Sequence, residues 1–141
     1  MTAITASGQI LELLLQHADL MSSEGPMLPV AQIGALFTPP QDQKFLELTY
    51  LPNKPKVEPL GSGMFIEQVF LQVTVHWPQG QGAIALADAI GAVKTHFAKG
   101  TELIGSMAKV IVSSEPWEHP DLNGLDMQIP VSIPYQAFRA A

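Results

Sequence analysis

A strand is expected from Phe65 to Trp77, alternating from Gln68 onward, and this stretch restricts the fold most. Val69, Leu71, Val73, Val75 and Trp77 fall on one side, and Gln68, Phe70, Gln72, Thr74 and His76 on the other. A period of two is the pattern of a strand. One side is apolar and the other half polar, as in an antiparallel sheet with one covered face. Pro78 and the glycines at 80 and 82 end the run.

A second long strand is expected at 126–138, with Met127, Ile129, Val131, Ile133 and Tyr135 on one face. Pro130 and Pro134 sit in one register there, so two N–H donors are missing from the same side. That side cannot carry a full ladder, and the strand is expected at an edge or bulged. Shorter strands are expected at 44–51, with Leu46, Leu48 and Tyr50 on one face, and at 107–113, with Val110 and Val112 together.

Two helices complete the pattern. Residues 4–20 place Ile10, Leu14 and Ala18 on one stripe, with Ser7 as the expected N-cap. Residues 83–97 place Leu86, Ile90, Val93 and Phe97 on another, followed by Gly100 as a C-cap. Residues 25–43 are rich in proline, and 30–37 are expected to dock as an irregular apolar segment. The expected fold is a single α+β domain over 1–141, in the order α-β-β-α-β-β. A mainly antiparallel sheet of about four strands packs on two helices, with long loops at 52–64 and 114–125.

The chain has 141 residues, enough to bury a core without staples. It has no cysteine, which excludes thiolate chemistry and Cys-type zinc sites. No apolar run approaches the roughly 20 residues of a membrane span, and residues 1–8 lack the basic start of a signal peptide. A soluble protein made in the cytoplasm is expected. Charged residues are 14% of the chain and hydrophobic ones 47%. An average soluble domain has about 25% charged residues. A surface so short of ions is expected to be covered by neighbouring subunits. The net charge of −6, with seven unclustered Lys and Arg, argues against gripping nucleic acid.

No motif points clearly to catalysis. None of the four histidines, at 17, 76, 96 and 119, pairs with another at i, i+4. Glu115, Glu118, His119 and Asp121 surround Trp117 and could hold a metal or move a proton, which leaves a small metal-dependent enzyme as an alternative. Pro116, Pro120 and Asn123-Gly124 read instead as a solvated turn. Gly61-Ser62-Gly63 and Gly80-Gln81-Gly82 match no nucleotide motif, and no nucleophile elbow is present. No catalytic, cofactor or metal residue is assigned. Long connections on a rigid sheet are instead suited to docking. The candidate interface residues are Pro55, Val57, Leu60, Met64 and Phe65 in the first arm and Trp117 in the second.

Several segments in order resemble a family of small bacteriophage tail proteins, the tail terminator or tail-completion subunits. They are Phe37-Thr-Pro-Pro40, Phe45 to Asn53, Leu60-Gly-Ser-Gly63, Gln72 to Gly82, Ala87-Asp-Ala-Ile90, His96 to Thr101 and Pro130 to Tyr135. One departure is Met64-Phe65, where the resemblance implies a more polar stretch. The resemblance implies an α+β fold and a structural virion protein without catalytic residues or cofactor. It also implies a homohexameric ring at the head-proximal end of the tail tube, which stops tube growth and joins the head. Its partners would be other copies of itself, the tail tube protein and a neck or head-completion protein, with DNA passing through the lumen. A head-closure, neck or other minor tail subunit is the near alternative.

Overall fold

The computed structural model describes residues 3–52, 64–78, 80–119 and 126–140. Helix α1 spans Ala6–Asp19. Thr5, not Ser7, is its N-cap: the Thr5 backbone is extended and its Oγ1 accepts from Gly8 N at 3.1 Å. Ser7 already lies inside the first turn. The expected stripe holds, because Ile10, Leu14 and Ala18 are fully buried. A short 3₁₀ turn at Leu20–Ser22 follows and buries Met21.

Among the described residues seven strands form one sheet: β1 (Val30–Ala31), β2 (Phe45–Pro52), β3 (Met64–Pro78), β4 (Glu102–Ile104), β5 (Ala108–Val112), β6 (Trp117–Glu118) and β7 (Asp126–Ala140). Helix α2 spans Ala83–His96, between β3 and β4. The order across the sheet is β1-β2-β3-β7-β5-β4, and β6 also pairs with β7. This corrects the expected count of about four. The added strands are β1, β4 and β6, each of two or three residues and too short to display a period. The sheet is also mixed, because β1 runs parallel to β2. Pro29 supports that pairing through its carbonyl, which accepts from Leu46 N at 2.9 Å. Residues 30–31 are therefore strand, where only an irregular segment was expected.

The second correction concerns the proline strand. β7 is interior, flanked by β3 on one side and by β5 and β6 on the other. Both prolines direct their carbonyls to the β5–β6 side: Pro134 accepts from Ser113 N at 3.0 Å and Pro130 from His119 N at 2.9 Å. The missing N–H groups therefore leave the long ladder with β3 intact. The bulge lies in the partner. Val112 faces Tyr135 and Trp117 faces Ser132, so residues 113–116 stand opposite only 133–134. Counting lost donors located the defect correctly. The chain then accommodated it by using proline carbonyls alone, rather than by placing β7 at an edge.

One side of the sheet packs on both helices. Val69, Leu71, Val73 and Val75 of β3 meet Val131, Ile133, Tyr135 and Ala137 of β7 in a single cluster with the two helical stripes. Each such Val, Leu or Ile contributes about 1.5–3 kcal/mol by leaving water. A polar clamp fixes where α1 sits. Buried Gln9 accepts from Met107 N at 2.6 Å and Ala108 N at 2.8 Å, and donates to Ser106 Oγ at 3.1 Å. It ties the β4–β5 hairpin to the start of α1. Gly105 leaves room for it, since a Cβ there would collide with the Gln9 side chain.

Candidate assembly surfaces

The sheet has a second face, and no helix covers it among the described residues. Alternation puts Leu51, Phe70 and Pro134 in one row across β2, β3 and β7, by the register Leu51 to Phe70 and Phe70 to Pro134. Trp117 of β6, opposite Ser132 in the next row, reaches this one with its ring edge-on to Phe70 at 6.3 Å. Leu51 is 45% exposed and Trp117 42%, while Phe70 is half-buried. The neighbouring rows hold Thr49, Gln72 and Ser132 on one side and Gln68, Gln136 and Ile111 on the other.

This central band carries no ionic side chain. Two pairs of charged residues stand at its rim among the described residues. Glu47 lies 3.3 Å from His76, whose ring stacks on Phe45 at 4.2 Å. Lys109 lies 3.3 Å from Glu102. An apolar and amide-rich centre with a charged rim is the make-up of a protein interface. The low charge of the whole chain is thus partly concentrated on one surface.

Placement of the expected interface residues is uneven. Trp117 is on this face, in a two-residue strand rather than a loop. Met64 and Phe65 begin β3, where they pair with Ala140 and Arg139. The first arm is therefore shorter than 52–64, because both ends of the β3–β7 ladder run further than the alternation alone suggests. Pro52 likewise ends β2. Pro55, Val57 and Leu60 lie outside the described residues. Of the second connection, 113–119 is a strap along β7, while 120–125 lies outside the description.

The loop considered for metal or acid–base chemistry is engaged elsewhere. His119 Nε2 lies 2.8 Å from Ser132 Oγ, and Glu118 accepts from Lys94 Nζ at 2.7 Å. Asp121 lies outside the described residues. No group of three or more His, Asp or Glu among the described residues could hold a metal ion.

A pairing that sequence spacing did not reveal joins the C-terminal ends of the two helices. His17 and His96 stack with ring centroids 4.2 Å apart. Their Nε2 atoms donate reciprocally: His17 to the His96 carbonyl at 2.9 Å and His96 to the His17 carbonyl at 2.7 Å. Phe97 sits edge-on to both rings. Burial holds His17 below its ordinary basicity, with its backbone hydrogen bond opposing and the His96 charge adding. The two residues are 79 positions apart, so no local motif announces them.

No curated protein matches the chain. A chain of known structure shares the fold with a TM-score of 0.71 at 22% identity, covering 92% of this chain and 94% of that one. Residues 9–135 match the family model described as phage tail terminator protein.

Proposed function

The chain belongs to the phage tail terminator family, and from that premise we propose that it is a structural subunit of the virion. Copies join into a ring, six-fold by the resemblance, that caps the head-proximal end of the tail tube. The ring stops tube elongation and presents the surface for head joining. It works through its surfaces and needs no cofactor. One observation supports this most: the sheet face around Leu51, Phe70 and Trp117, which no helix covers among the described residues, has no ionic side chain at its centre. In a free monomer such a face would be wetted at a cost of about 25 cal/mol per Å² of apolar area. Covered by another subunit or by the tube, it becomes a source of affinity. The acidic balance suits a channel through which DNA slides without sticking.

Pro55, Val57 and Leu60 are retained in this reading as candidate contacts to a neighbouring protein. The test combines light scattering with negative-stain microscopy, on the protein alone and with tail tubes. Ring particles or a multimer mass support the reading. A monomer in both settings refutes it.

A further inference from the structure

Two histidines tie the helices together at their C-terminal ends, and from their geometry we infer a proton-sensitive latch. The joint between α1 and α2 stays closed while the His17–His96 stack carries at most one added proton. It opens when both rings are charged. The inference does not depend on the ring reading above.

Two hydrogen bonds and the stack define the closed state. A carbonyl can only accept, so the contacts of each Nε2, at 2.9 and 2.7 Å, place a hydrogen on both Nε2 atoms. Each neutral ring therefore keeps its Nδ1 bare. Among the described residues these are the only hydrogen bonds that join α1 to α2. Phe97 is fully buried and stands at 77° to the His17 ring and 85° to the His96 ring. The His96 side chain is 6% exposed and His17 is half-buried, so water screens the pair poorly.

A proton can enter at Nδ1 without breaking either bond, because both Nε2–H groups remain donors. The first proton is accommodated. Glu24 Oε1 stands 3.8 Å from His96 Nδ1, and each ring belongs to the last turn of its helix, where the dipole favours a cation. The second is not, because its charge faces another across a centroid distance of 4.2 Å. Burial also opposes the charging of His17. Other charged groups around the pair are engaged elsewhere. Glu102 of β4 borders the same groove as His17 but is paired with Lys109, and Asp19 Oδ1 accepts from Gln32. Lys94 of α2 is paired with Glu118. Lys99, three residues past His96, adds a like charge.

Opening relieves the repulsion and the burial together. With the rings apart, each imidazolium is hydrated and the carbonyls at the helix ends turn to water. The stripes of Ile10 and Leu14 and of Leu86 and Ile90 stay packed on the sheet. The release is therefore confined to the helix ends and to the turn at 20–28 that follows α1. Acid drives it, and it begins below about 6.5, where an ordinary histidine titrates.

The test follows the full chain by NMR and hydrogen exchange from pH 8 to 5, with His17→Gln and His96→Gln as variants. Glutamine keeps an N–H for the facing carbonyl and takes up no proton. The Phe97 and Glu24 amides, which bond to the Val93 and Leu20 carbonyls, report on the joint. In wild type their protection factors should fall about tenfold or more between pH 7 and 5. Those of buried Val73 and Ile133 should hold. In His17→Gln the fall at the joint should shrink to about threefold or less. In His96→Gln the His17 imidazole should titrate at a higher pH than in wild type, because the facing charge is gone. If His17 titrates at the same pH with and without His96, the rings are uncoupled and the latch is wrong. An equal loss of protection across the whole chain would mean acid unfolding with no local joint, which also overturns it. If His17→Gln does not fold, the titration of His17 in His96→Gln decides alone.

Discussion

Gln9→Leu keeps the volume of a buried side chain and removes its hydrogen bonds. It leaves the N–H groups of Met107 and Ala108 without the oxygen that now accepts both. Ala108 is buried, so its orphaned donor costs about 1–3 kcal/mol. Met107 is half-buried and can recruit water, so its share is nearer 1 kcal/mol. The extra apolar area of leucine offsets about 1 kcal/mol. The net loss is about 2 kcal/mol, concentrated where the β4–β5 hairpin meets α1. For a chain of this size 1 kcal/mol moves the melting temperature by about 3–5 °C, so a fall of about 8 °C is expected by calorimetry. Hydrogen exchange should quicken first at Ala108. A melting temperature within about 2 °C of wild type would refute the clamp.

Further changes probe other parts of the account. Gly105→Ala should cost about 1–2 kcal/mol by pushing a Cβ into the Gln9 side chain, readable as a lower urea midpoint. Stability should fall as pH drops below 6.5, the ordinary value for His17. The folded form holds His17 less basic than that, so below 6.5 the unfolded chain binds more protons. The stability is fully present above 6.5 and is lost as pH falls through the folded value. Urea midpoints from pH 8 to 5 should show a shallower decline in His17→Phe than in wild type, and equal declines would reject the assignment. Trp117→Glu places a charge on the second sheet face, where the Trp117 ring now meets Phe70. It and Phe65→Glu should impair assembly with unchanged circular dichroism, and a lost signal would place the residue in the core instead.

The sequence made most of the core legible, because burial on one side of a helix or strand leaves a period. Val69 to Trp77 and Ile10 to Ala18 are buried as their spacing requires. Short strands leave no such trace. β1 and β6 have two residues each and form only because longer strands offer them an edge. The interior place of β7 was hidden for a different reason. Prolines remove donors but keep carbonyls, and Ser113 and His119 use those carbonyls from residues that alternation cannot locate. Leu51, Phe70 and Pro134 form a row only once register is known, and Trp117, opposite Ser132 in the next row, reaches Phe70 through its ring. Trp117 was singled out from the sequence, whereas Leu51 and Phe70 were read merely as strand residues. The stack of His17 on His96 and the bonds from Gln9 are tertiary events with no local signature.

Cryo-electron microscopy of tail tubes polymerised with and without this protein tests the central claim most directly. The account predicts a ring of density at one end of each tube, and tubes that cease to lengthen once it is present. Tubes that grow as long as before, with bare ends and the protein left free in solution, would contradict it.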